Sequence, residues 1–81
     1  MAELIPLAPL SVGHVTAFDA RRGWGTVTDT EGTAFAFHAT AIADGTRRIA
    51  LGTEVSFVVA PGHRGRYEAR GLTEVGPTPD D

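Results

Sequence analysis

The sequence contains no cysteine and no lysine, and only one methionine, one tryptophan and one tyrosine among its 81 residues. Without cysteine, neither a disulfide framework nor a thiolate zinc site can reinforce the core. No apolar run approaches the roughly 20 residues that a bilayer-spanning helix needs. Residues 1–12 are apolar, yet they lack a basic segment, carry Glu3 and are broken by Pro6 and Pro9, so they do not read as a signal peptide. No export signal and no cysteine together make a cytoplasmic location the expectation. Helical periodicity is also missing, since no segment sustains it for ten residues. Positive charge is short as well: seven basic residues against ten acidic ones give a net charge of -3. That balance argues against a strongly basic nucleic-acid or membrane binder.

What is present suits one small globular domain. A chain of 8.5 kDa buries roughly 60–65% of the surface its unfolded form exposes, so its stability is modest. Apolar residues at 42% and charged residues at 21% exclude a disordered chain. The charge is unevenly placed. All seven basic residues are arginine (Arg21, Arg22, Arg47, Arg48, Arg64, Arg66 and Arg70), and residues 14–75 carry an equal number of acids. The acidic excess lies in Glu3, Asp80 and Asp81, which leaves the middle formally neutral. Three spans follow: an apolar arm over 1–11, a folded domain over 12–75, and an acidic, proline-containing tail over 76–81 expected to be disordered. The arm either covers the domain's own apolar surface or offers a docking strand to a partner.

Five short strands are expected, over residues 11–19, 24–30, 33–38, 53–60 and 66–75, because apolar and β-branched residues recur there with a period close to two. A tight turn at Glu31 and Gly32 makes the second and third a hairpin. Gly71 inside the last strand marks a bulge or a close approach. Residues 38–52 form a longer connection with room for one helical turn at 39–43. Five strands with such turns suggest an antiparallel barrel or sandwich, and closure would remove exposed edges that no helix covers.

Alternation assigns the faces. On the third strand Phe35 and Phe37 share one side and fill the core, leaving Ala34, Ala36 and His38 on the other. On the second, Val27 in the core puts Trp24 on the outer face. Phe18 is ambiguous, because Ala17 and Phe18 are neighbours and only one can point inward.

Residues 13–27 (GHVTAFDARRGWGTV) resemble the opening of a cold-shock domain, with Phe18, Asp19, Gly23, Trp24, Gly25 and Val27 at the family's positions. Residues 38–42 (HATAI), residues 52–57 (GTEVSF) and Leu72-Thr73 are similar to its later motifs, so the resemblance covers roughly residues 12–75. It implies an all-β, five-stranded antiparallel OB-fold barrel. It also implies binding of single-stranded RNA or DNA by bases stacked on surface aromatics. Several of those aromatics are replaced here: Ala17, Thr26, Ala36 and Ala39 stand at their positions, and Thr16 replaces a basic residue. At ~1 kcal/mol each, four lost stacks weaken binding several-hundred-fold.

The resemblance leaves Phe18, Trp24 and His38 as the stacking platform, with Tyr67 as a candidate addition. Arg22, with Arg21, Arg47, Arg64 and Arg66, would contact phosphates, since guanidinium groups pair with phosphate and stack on bases. The same arginines, matched by acids, also suit an ordinary solvated surface. His14, His38 and His63 lack metal-ligand spacing, so no metal or cofactor is expected. Ser11 and Ser56 have no nucleophile setting, and no helix follows Gly23 and Gly25 to make a phosphate loop, so no enzyme is expected. The expected function is weak single-stranded nucleic-acid binding with little sequence preference, in RNA chaperoning or transcription regulation. The alternative is a barrel that has lost most of that binding and serves as a protein-interaction or self-association module through its N-terminal arm.

Overall fold

Strand β1 (Leu10–Asp19) runs through the whole GHVTAF motif and pairs with two neighbours, β2 (Trp24–Asp29) and β4 (Glu54–Pro61). Strand β3 (Ala34–His38) follows β2 through a four-residue turn over 30–33, and β5 (Tyr67–Glu74) closes the ring in the order β1-β2-β3-β5-β4. The computed structural model describes residues 10–62 and 65–75. Residues 1–9 of the arm, Arg64 and the tail over 76–81 lie outside the described residues, while Leu10 and Ser11, counted above with the arm, belong to β1.

The sheet corrects one expectation. Four of the five neighbouring pairs are antiparallel, but β3 and β5 run parallel, meeting at Ala36 and Glu68. The reason is parity. An odd number of strands cannot alternate direction all the way around a closed ring, so one seam must be parallel. Ile42 and Leu72 extend that seam with an isolated parallel bridge.

The turns are built by side chains as well as backbone. In the β2–β3 hairpin, Asp29 Oδ1 accepts from the backbone N–H groups of Glu31 at 2.9 Å and Thr33 at 2.8 Å. The expected single helical turn is a 3-10 segment (Ala39–Ala41) at the start of the long connection.

Alternation holds on β2 and β3. Val27 and Phe37 are fully buried, and Phe35 packs against the core from the same side as Phe37. With Val15, Ile42, Val55, Phe57, Ala69 and Leu72 they make one cluster inside the barrel. It contains no buried polar side chain among the described residues. On β1 alternation breaks, because the register against β2 shifts between Val15 and Ala17. One extra residue enters the strand there, so Thr16 and Ala17 are both exposed while Val15 and Phe18 both turn inward. The bulge resolves the Phe18 ambiguity.

A second shift lies between Ser56 and Val58 of β4, opposite Gly71. Gly71 has φ +63, the left-handed conformation of a bulge glycine, and nothing lies within 4 Å of where its Cβ would be. A side chain therefore meets backbone strain and no clash. Gly71→Ala is expected to cost about 1 kcal/mol, read as a melting point lower by roughly 4–8 °C in thermal denaturation. An unchanged melting point would show that the strand relaxes out of the bulge.

Candidate nucleic-acid interface

The β1–β2 turn is organised by the residue that ends β1. Asp19 Oδ1 accepts from the N–H groups of Arg21 at 3.0 Å and Arg22 at 3.2 Å, and the Gly23 N–H donates to the Asp19 carbonyl at 2.8 Å. Gly23, at φ +76, completes the reversal in a conformation that favours glycine. Both arginine side chains are thereby displayed at an exposed tip. Arg22 Nε lies 3.8 Å from Asp19 Oδ2, a contact between exposed groups that holds the guanidinium only loosely.

Trp24 opens β2 directly after this tip and faces outward, 40% exposed. It pairs with Asp19 on one side and His38 on the other. The indole and imidazole meet edge to face, with centroids 5.0 Å apart and planes at 83°, a favourable quadrupole arrangement. The imidazole is itself anchored. Its Nδ1 accepts from the Thr40 N–H at 3.2 Å and lies 2.9 Å from the Thr40 hydroxyl, so it caps the 3-10 turn. With Nδ1 accepting, a neutral ring carries its proton on Nε2. The pair is therefore held by the protein's own contacts.

Phe18 sits differently. It is half-buried and lies parallel to Phe37, with centroids 5.9 Å apart. It borders two shallow depressions. One, of about 470 Å³, is shared with Ala17, Trp24, Thr26 and Ala36. The other, of about 460 Å³, is shared with Ala20, Arg48, Ile49 and Ala50. Ala17 and Ala36 are exposed, so their small side chains leave a trough beside Trp24, whereas Ala39 is buried in the 3-10 turn. Thr16 and Thr28 join hydroxyls at 3.1 Å along the outer surface of β1 and β2.

In the long loop, Asp44 Oδ1 accepts from both the N–H and the hydroxyl of Thr46, each at 2.9 Å. These bonds, the backbone one first, hold its carboxyl below the usual aspartate value. Arg47 follows at φ +62, and Arg48 turns back toward Phe18. On the opposite side, Arg66 and Tyr67 border a third depression with Phe35 and Ala36.

Of the residues predicted from sequence, the structure brings Trp24 into contact with His38 and puts Phe18 and the Arg21–Arg22 tip beside them. Arg66 lies at the β3–β5 seam, away from the Trp24–His38 pair, and it is Arg48, not Arg47, that borders the Phe18 depression. Arg48 was legible only as one of a loop pair, because loop conformation has no period to read. A separate groove of about 520 Å³ lies between that loop and β5, but it has no aromatic and sets Asp44 and Glu74 against the single Arg48. A polyanion finds neither stacking nor net attraction there.

No family model matches the sequence, and no curated protein matches it. Among solved structures, the chain is similar to a Drosophila chain titled Unr CSD456, with a TM-score of 0.72 and 22% sequence identity. The likeness covers 93% of this chain, which spans only 30% of that one. At that identity it bears on the fold alone, and it agrees with strand order and closure. The chain is a closed, five-stranded barrel of the cold-shock, OB-fold type.

Proposed function

We propose that this barrel binds single-stranded RNA or DNA, weakly and with little sequence preference along its main platform, without catalysis. The observation that carries this is the Trp24–His38 pair, an exposed indole against a half-buried, anchored imidazole, beside a shallow trough and an arginine tip. Every base has a π-face, so stacking on an indole is tolerant of sequence and contributes ~1–3 kcal/mol per base. Arg21 and Arg22 supply phosphate contacts next to Trp24, with Arg48 beside Phe18 and Arg47, Arg64 and Arg66 as further candidates. The neutral middle of the chain adds no broad attraction, hence the weakness. RNA chaperoning or transcription regulation in the cytoplasm is the role such binding would serve.

Trp24 is the sole tryptophan, so its fluorescence reports on the platform. Titration with oligo-dT and a mixed RNA oligomer is expected to quench it, and the logarithm of affinity is expected to fall with that of salt at a slope of about -1.5 to -2, from two or three phosphate contacts. Anisotropy of a labelled strand is expected to show a loss of about tenfold for Trp24→Ala. Absence of any response at tens of micromolar strand would overturn the proposal.

A second function is favoured by a different surface. On the outer face of β1, Leu10 is 68% and Val12 40% exposed, with Val58 directly across from Leu10. Such an apolar strip supports self-association or a protein partner. Its signature is a mass that rises with concentration in light scattering.

A further inference from the structure

Outward-facing residues of adjacent strands form a row across the barrel: Ala17 beside Thr26, Thr26 beside Ala36, and Ala36 beside Glu68. The first three are small and uncharged. The fourth is a carboxylate, and it stands at the parallel seam between β3 and β5. There Glu68 borders a depression of about 390 Å³ with Ala34, Phe35, Ala36, Arg66 and Tyr67. On its other side it borders a cleft shared with His38 and Thr40. Tyr67 is 62% exposed, so its ring can receive a planar ligand.

The Glu68 carboxylate is held in position, in a side chain that is mostly buried and only 14% exposed. It rests against Gly62, where any Cβ would collide with it, and Arg70 Nη2 lies 3.7 Å from its Oε1. Two carboxylate oxygens carry about four acceptor sites, so pairing within the protein is compatible with accepting from a ligand. An ionised carboxylate repels phosphate and donates nothing. Its counterpart must be a donor edge, and the nucleobases differ there. Guanine offers adjacent N1–H and N2–H₂ donors that match two carboxylate oxygens. Adenine and cytosine offer one amino group, and uracil a single N3–H.

We infer that the β3–β5 seam is a second nucleobase subsite with a preference for guanine. Tyr67 stacks the base, Glu68 accepts from its N1–H and N2–H₂, and Arg66 contacts the adjoining phosphate. The inference rests on the single-strand binding proposed above, and it adds one position where bases are distinguished.

The test uses the full chain and labelled RNA heptamers of uridine whose central residue is uridine, guanosine, inosine or adenosine. One guanosine per strand avoids quadruplex formation. The guanosine heptamer is expected to bind roughly tenfold tighter than the all-uridine one, with most of that gain lost for inosine, which lacks the N2 amine. Glu68→Gln keeps the shape but presents one donor and one acceptor, so it is expected to abolish the preference and bring the guanosine heptamer to within about twofold of the uridine one. Trp24→Ala is expected to weaken all heptamers alike and preserve their ratio. Equal affinity for the guanosine and uridine heptamers, or a preference that survives Glu68→Gln, would overturn the subsite and leave the platform standing. Failure of every heptamer to bind would overturn both.

Discussion

Ala17→Trp combined with Ala36→Phe is expected to tighten single-strand binding by roughly a hundredfold, about 3 kcal/mol from two new stacking surfaces. Both alanines are exposed, and both are register partners of Thr26, so the new rings would flank one position on β2. They would also border the trough already walled by Trp24 and Phe18. The space exists, because small side chains left it, and no core residue has to move. Filling it converts one anchored aromatic pair into a continuous platform for two more bases.

A control separates stacking from mere apolar area. Ala17→Leu with Ala36→Leu adds surface without a π-face and is expected to gain less than threefold. The salt dependence of the aromatic variant is expected to match that of the natural protein, since no phosphate contact is added. Anisotropy titrations at two salt concentrations measure both. If the aromatic pair left affinity unchanged in a folded barrel, strands would not lie across β1–β3, and the self-association function would be the stronger one.

How far this surface could be read in advance follows from periodicity. Phe35, Phe37, Val27 and Trp24 took their faces from a period of two, and the structure keeps them. The parallel seam was also within reach, since five strands in a ring cannot all be antiparallel, but it takes the closed topology to show it. Thr16 was not legible. A single extra residue in a strand leaves no mark when it is β-branched, and only the shifted register against Val27 and Thr26 shows that Phe18 turns inward. Gly71 was legible because a glycine within a strand is costly unless its backbone is needed. The Glu68 subsite was hidden for another reason. Ala36 and Glu68 are far apart in sequence, and their adjacency depends on closure. The arginines were readable as a set, yet their placement depends on turns such as that of Asp44 and Thr46, which have no repeating pattern.

Gly25→Ala is expected to unfold the barrel or come close to it, although the glycine lies between two outward residues of the platform. Gly25 itself faces inward and is buried. A Cβ built there would lie 2.5 Å from Phe37 Cζ and 2.7 Å from the Ala17 carbonyl oxygen. Neither neighbour can yield cheaply. Phe37 has no exposed surface and is stacked on Phe18, and the Ala17 carbonyl belongs to the backbone of the paired strand. Overpacking of a well-filled core costs about 1–3 kcal/mol, and a backbone collision adds to that, against a total stability of roughly 5–10 kcal/mol for a domain of this size. Gly45→Ala is the matched control, because nothing lies within 4 Å of its Cβ and only the strain of φ +78 opposes it, about 1 kcal/mol. Phe37→Leu removes the ring from the collision, so the double variant with Gly25→Ala is expected to be less destabilised than the sum of its parts by at least about 1 kcal/mol in urea denaturation. The outcome also decides what this glycine does beside Trp24. Loss of fold with recovery in the double variant assigns it to packing. A Gly25→Ala protein of natural stability that no longer binds strands would assign it instead to the approach of a ligand to the backbone, and the inward facing of Gly25 would have to be abandoned.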